Sequence, residues 1–232
     1  MNAVVVVPTY NERDNLPQLL TGLLQYPALK VLIVDDKSPD GTGELAEHIA
    51  REHPGRIDVL HRTGHRGFGR SLLEGLSRAI QEPADFVFQM DADLSHDPKY
   101  LAEMMAAASD ADLVIGSRYL HGVSVVNWPL RRIILSAFAN QYVRAVTRLS
   151  VRDCTSGFRC WRREALARLP MGRLESEGYS LLVEMLYLAE RSGCRIVESP
   201  IIFVERRQGV SKMSSRVMVE SALTPWRLLV RR

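Results

Sequence analysis

In the stretch DFVFQMDADLSHDP, residues 85–98, an apolar run leads almost directly into two aspartates, Asp91 and Asp93. At i and i+2 of an extended chain both side chains point the same way. Two carboxylates held together repel and raise each other's pKa. A divalent cation removes that conflict, and oxygen donors without a Cys or His cluster suit Mg2+ or Mn2+. Ser95 continues the alternation as a weak third ligand. The competing reading makes one aspartate a helix cap near Pro98 and leaves the other solvated. Spacing alone leaves both open.

Something must hold such a pair at an exposed edge. Val4–Val7, Val31–Val34, Ile57–Leu60, Phe86–Met90 and Leu113–Ile115 read as short apolar strands. Between them Asn15–Leu24, Gly43–Arg51, Ser71–Ile80 and Tyr100–Ala107 read as helices. Continuous apolar strands alternating with helices predict an α/β fold with a mainly parallel central sheet covered on both faces. Ligands bind such sheets beyond the carboxyl ends of the strands. There the chain carries PTYNERDN, DDKSPDGT, HRTGHRGFGRS, DADLSHDP and GSRY. Each loop alone could be turn and cap chemistry; all of them on one edge suggest a site. The glycines of residues 61–71 follow the third strand rather than the first, so they read as a turn into a helix more than as a dinucleotide fingerprint. Backbone close to a ligand phosphate stays open there. His61, His65 and His96 lack ligand-like clustering and read as plain polar residues.

The 232 residues can bury a substantial core, and 46% hydrophobic with 25% charged is ordinary globular composition. A net charge of +3 implies no bulk attraction to nucleic acid. Three cysteines without paired spacing, Cys154, Cys160 and Cys194, read as buried reduced thiols of a cytosolic protein. No basic leader with a cleavage site is visible, and no apolar stretch has the length of a membrane span.

The motifs PTYNE, DDxSPDGT, MDADLSH, GSRY, DCTSGFR and RRQGVSK, in this order from Ala3 to about Lys212, resemble glycosyltransferase family 2. The likeness is strongest to its polyprenol- and dolichol-phosphate mannosyltransferases. Lys37 departs from the pattern, where a small or neutral residue is usual. The resemblance implies a Rossmann-like, nucleotide-sugar-binding GT-A fold. It implies that Pro8, Tyr10 and Glu12 border the nucleotide and that Val34 and Asp36 hold base and ribose. Asp91, the Ala92 backbone and Asp93 grip the diphosphate through the metal. Arg118, Arg206 and Lys212 face phosphates, and Arg132 and Ser136 bind the acceptor phosphate. Catalysis would rest on Asp91, Asp93 and Arg118, with Arg118 also near the acceptor phosphate.

The implied activity moves mannose from GDP-mannose to a polyprenyl monophosphate with inversion. A UDP-sugar glucosyl- or aminosugar transferase, or a non-catalytic nucleotide-sugar-binding protein, is the alternative. A phosphate monoester is already largely ionised at neutral pH, its second pKa being near 6, so no general base is expected. Residues 1–212 would form one catalytic domain and 213–232 an amphipathic helix. Pro129–Leu149 reads as a helix with an apolar stripe among arginines, either core-packed or interfacial. The stretch VMVESALTPWRLLVRR repeats the theme, with Pro225 expected to kink or split it. Together they suggest peripheral attachment at the cytoplasmic face of a membrane, and leave open a separate membrane-anchoring subunit.

Overall fold

The structure, a computed structural model, describes residues 2–176, 178–205 and 215–230. The first half alternates as the sequence predicts. β1 (Ala3–Thr9), α1 (Leu16–Leu24), β2 (Leu29–Asp35), α2 (Thr42–Glu52), β3 (Ile57–His61), α3 (Phe68–Ala79), β4 (Phe86–Gln89), α4 (Leu101–Ala107) and β5 (Leu113–Ser117) follow one another. The sheet order is β3-β2-β1-β4-β7-β5-β8, with β7 (Arg159–Arg162) and β8 (Ile196–Pro200) from the second half. β7 runs antiparallel to both neighbours, and every other pairing in this sheet is parallel.

The valine run of β1 shows why the sheet forms. Its β-branched residues suit extended chain, and the alternation sends Val4 and Val6 to one face and Val5 and Val7 to the other. On one face lie Leu72 and Leu76 of α3 with Leu181 and Leu186 of α7 (Ser180–Arg191). On the other lie Leu16, Leu20 and Leu23 of α1 with Leu101 and Met104 of α4. Gly75 lets α3 approach, since a Cβ there would sit 2.5 Å from Val6 and 2.7 Å from Val34.

Several second-half elements carry no period that the sequence displays. β7 is RCWR, whose arginines disguise a strand even though Arg159 is fully buried. In α7, Ser180 to Tyr187 are all buried, so the polar-face signature of an amphipathic helix is missing. α6 (Arg163–Ala167) is too short for a period, and β6 (Val125–Val126) and β9 (Phe203–Val204) are a two-residue parallel pair. α5 (Leu130–Thr147) is shorter than expected, with Pro129 as an extended cap residue instead of a first-turn residue. α8 (Ser215–Val230) is one helix through Pro225 and is not split there. Packing supports it: Tyr142 of α5 donates its hydroxyl to the Ala222 carbonyl at 2.6 Å, and Trp226 Nε1 donates to Tyr142 at 2.8 Å. No described helix is long and apolar enough to cross a membrane.

Candidate active site

The loops after β1, β2 and β3 meet around Asp36, a buried carboxylate that accepts from Arg62 Nη1 and, at 2.7 Å, from the Gly67 N–H. Arg62 is also buried and bonds Glu74 through Nε at 2.7 Å. Asp36 is thus the post on which the glycine-containing loop before α3 hangs. Tyr10 meets Arg66, whose guanidinium lies 4.9 Å over its ring and bonds its hydroxyl. Glu12 accepts from Asn15 Nδ2 at 2.9 Å, and its N–H donates to Thr42. Pro8 pairs with Val34 in the β1–β2 ladder. The Val34 side chain faces α3 inside the core, so a base contact from it would have to be made by backbone. The Lys37 side chain is exposed.

Three of the five described non-glycine residues with positive φ fall in these strand-end loops: Asn11, Lys37 and Leu94. That conformation is uncommon for L-residues and costs free energy, most for bulky ones. Leu94, at φ 63°, turns the chain sharply just after the aspartate pair.

That pair is positioned by two neighbours. The Ser95 N–H and Oγ both bond Asp93 Oδ1, at 3.1 and 2.5 Å. Ser95, expected as a weak ligand, also orients Asp93. His96 is not the plain polar residue expected. It is buried, stacks on Phe158 at 4.9 Å between centroids, and its Nδ1 accepts the Asp91 N–H at 3.0 Å. Burial pushes its pKa down to about 4, against the pull of the Asp93 charge, so the ring is neutral near pH 7. With Nδ1 accepting, the proton sits on Nε2, 4.0 Å from Asp91 Oδ2. His61 and His65 are exposed surface groups as expected. The turn after the pair is capped by Asp97, which accepts the Lys99 N–H at 2.9 Å. Neither Asp91 nor Asp93 is the cap, and the Asp91 side chain is 30% exposed while Asp93 is buried.

Arg118, just past β5, makes a bidentate pair with Asp153 at 2.7 Å for both bonds, and its Nη2 also reaches Thr155 at 2.8 Å. Both partners are buried. Burial opposes charge on each, and the opposite charge outweighs it: Arg118 is held above the usual arginine range and Asp153 below the usual carboxylate range. Asp153 opens the loop before antiparallel β7, and that loop reaches the same edge of the sheet. A Cβ on Gly157 would lie 3.6 Å from Asp91 Oδ1. Beneath it, fully buried Arg159 donates to the Ser156 and Cys154 carbonyls at 2.9 and 3.2 Å. Burial pushes Arg159 down to about 10 and the Cys154 thiol up to about 12. Cys160 is likewise buried, Cys194 half-buried, and all three are free. Asp153, Gly157 and Arg159 all lie in the DCTSGFR motif, which signalled them as a group without revealing their partners.

The opposite wall comes from α5. Arg132, Ser136 and Asn140 are spaced i, i+4, i+8 on one helical face. Arg132 pairs with Glu205 and stacks on Trp128 at 4.1 Å. Ser136 accepts the Tyr119 hydroxyl at 2.7 Å. Asn140 accepts the Cys154 N–H at 2.8 Å, tying α5 to the Asp153 loop. Arg206 and Lys212 lie outside the described residues.

The family model for glycosyl transferase family 2 matches residues 4–169, from β1 to just past β7. The chain belongs to glycosyl transferase family 2. Within the family it is 43% identical to the polyprenol monophosphomannose synthase of Mycolicibacterium smegmatis over 214 residues, covering 91% of this chain and 80% of that one. It is 41% identical to the undecaprenyl-phosphate mannosyltransferase of Micrococcus luteus over 234 residues, covering 100% of this chain and 96% of that one. The fold matches glucosyl-3-phosphoglycerate synthase of Mycobacterium tuberculosis, in complex with Mn2+, uridine diphosphate and glucosyl-3-phosphoglycerate. The TM-score is 0.69 at 18% identity, over 99% of this chain and 79% of that one. It also matches a mannosyltransferase from Pyrobaculum calidifontis in complex with GDP-Man and Mn2+, with TM-score 0.58 at 19% identity over 98% and 72%. These likenesses place the chain in the GT-A-like class that its mainly parallel sheet predicts.

The donor set fits a hard divalent cation. Asp91 and Asp93 offer hard oxygen donors of the kind such a cation prefers.

Proposed function

We propose that this chain is an inverting mannosyltransferase that moves mannose from GDP-mannose to a polyprenyl monophosphate. The products are GDP and a polyprenyl-phosphate β-mannose. The observation that carries this reading is the near full-length identity, 41–43%, to relatives named for that sugar and that class of acceptor.

The residues support a division of labour. Asp91 and Asp93, oriented by His96 and Ser95, would hold Mg2+ or Mn2+ against the donor diphosphate. Bound there, the cation supplies Lewis-acid neutralisation of the leaving charge. Tyr10, Glu12 and Asp36 border the nucleotide, with Asp36 acting through the loop it suspends. Arg118 presents a fixed positive charge whose Nε and Nη2 are already committed to Asp153. Arg206 and Lys212 add cationic contacts as charge develops. On the acceptor side, Arg132 and Ser136 seat the lipid phosphate. One phosphate oxygen attacks the anomeric carbon as the bond to the GDP oxygen breaks, in line, which inverts the centre. The attacking oxygen carries no proton, so no side chain need remove one, and positioning supplies most of what the acceptor side contributes.

The lipid acceptor cannot leave its bilayer, so the site must come to a membrane surface. Arg132 and Ser136 face inward on α5, while Leu130, Ile134, Leu135 and Phe138 stand exposed, Phe138 at 66%. Leu223 and Trp226 of adjacent α8 are exposed as well. Apolar area of this kind beside arginines binds interfaces reversibly.

The test is incubation with a panel of radiolabelled nucleotide sugars, polyprenyl phosphate and Mg2+ or Mn2+. Label from GDP-mannose entering an organic-extractable, mild-acid-labile product is the expected result. Label from a UDP-sugar instead, or none, sinks the reading.

A further inference from the structure

Two arginines flank the Trp128 indole, Arg118 at 5.7 Å and Arg132 at 4.1 Å from its centroid. Their counter-ions differ. Arg118 is held by a fully buried carboxylate through two bonds and the loop that carries it. Arg132 is held through Nη1 by Glu205, and both side chains stay about a third exposed, at 34% and 31%. Buried bidentate pairs are costly to part, whereas pairs with water access exchange readily.

Glu205 is itself well placed. Its N–H donates to the Val126 carbonyl at 3.1 Å, so β6 fixes its backbone while its carboxylate reaches across to α5. The apolar face of the same helix, at Leu130 and Ile134, lies exposed beside it. An arginine at such a surface, with no counter-ion of its own, would attract every phosphate headgroup in the bilayer.

We propose that Glu205 is an exchangeable counter-ion that occupies Arg132 until an acceptor phosphate displaces it, and so sets the affinity an anion needs to take the acceptor seat. This rests on Arg132 being the acceptor-phosphate residue. A carboxylate is a monoanion with one pair of oxygens. A phosphate monoester near neutral pH approaches a dianion with three terminal oxygens and makes the stronger charge-assisted bonds. Displacement therefore favours the monoester, while a phosphodiester monoanion gains little over the glutamate it must replace. The gate lowers the affinity of the seat for all anions by the same factor, so at low concentration only an intrinsically strong binder fills it.

The experiment is a double-substitution cycle on Glu205→Gln and Arg132→Ala. It measures KM for polyprenyl phosphate and the inhibition constant of a soluble dialkyl phosphate, a stand-in for lipid headgroups. Glu205→Gln is expected to lower both about two- to fivefold, the scale of a solvent-accessible ion pair. In the Arg132→Ala background the same change should do nothing, because the gated group is gone. An acceptor KM that stays level or rises in Glu205→Gln overturns the gate, and so does an equal fall in both backgrounds, which would mark a general charge effect. Glu205→Ala repeats the arm, and GDP binding measured on each variant reports an intact fold. If Arg132→Ala alone leaves the acceptor KM unmoved, the failure lies with the assignment of the seat instead.

Discussion

The two sides of the candidate site are built on opposite plans. Around Asp36, Asp91 and Asp93 the polar groups are held in place, with Asp36 and Asp93 buried, and the apolar ones are covered. Every exposed large hydrophobic among the described residues lies at Val123 or later, on the side formed by β6, α5, the β8–β9 region and α8. The first half holds its polar groups in fixed geometry. The second keeps apolar surface uncovered, a state stable only where something other than water meets it. Arg118 and Asp153 join the two plans, and the joint is the most consequential place to test the comparison.

Replacing Asp153 by Asn should have the largest effect. It leaves Arg118 buried without its counter-charge, a loss of about 3–5 kcal/mol by analogy with other broken buried pairs. Denaturant unfolding would measure it, and a change within experimental error would mean that the two halves are not clamped there. The pH dependence follows. The folded-state pKa of Asp153 lies below its unfolded value, so the stabilisation is present above about pH 4 and is lost as pH falls through the lower folded value.

Asp91→Asn and Asp93→Asn should each reduce turnover by about 10^2–10^3-fold, the scale of removing a key charge-stabilising group. Circular dichroism should stay unchanged, because the fold does not hang on this pair. Full activity in EDTA would end the metal assignment. Arg132→Ala should raise the KM for polyprenyl phosphate about tenfold, the loss of one charge-assisted hydrogen bond, and leave that for GDP-mannose nearly alone. A rise confined to the sugar nucleotide would move Arg132 to the other side of the comparison.

The smallest expected effect is at the exposed apolar face. Deleting α8 is a poor probe, since Thr224 and Leu228 are buried against the body and their loss would uncover core. Ile134→Ser and Leu223→Ser remove mainly exposed area. Each should weaken binding to anionic vesicles severalfold, with high salt adding a further loss. Flotation that finds intact protein at the bottom of neutral and anionic gradients alike would assign this face to a protein partner.

The fixed side of the site was largely legible in the sequence. Uninterrupted valines and phenylalanines bounded by Asp, Gly and Pro announce parallel strands and their functional edge. Local spacing also sufficed to propose the Asp91–Asp93 pair. What escaped depends on distant partners. Arg118 shows a cation, but its neutralisation by Asp153 comes from a loop that only the β7 insertion brings near. His96 looks like any loop histidine until Phe158 stacks on it. Arg132 and Glu205 are each ordinary surface charges in the sequence, and only the β6–β9 pairing sets them face to face. β7 was missed because a buried arginine contradicts the pattern by which strands are recognised.

The reversed strand also bears on how the chain is made. Among the described residues β5 hydrogen-bonds in the sheet only to β7 and β8, so it has no route to the β1–β4 block until the residues around Arg159 exist. At roughly 5–20 residues per second, β5 waits some seconds on the ribosome with both edges unpaired. The first half is therefore no self-sufficient folding unit despite its regular alternation. A chain arrested before Trp161 emerges should be sensitive to protease and captured by chaperones, whereas one arrested after β8 emerges should not.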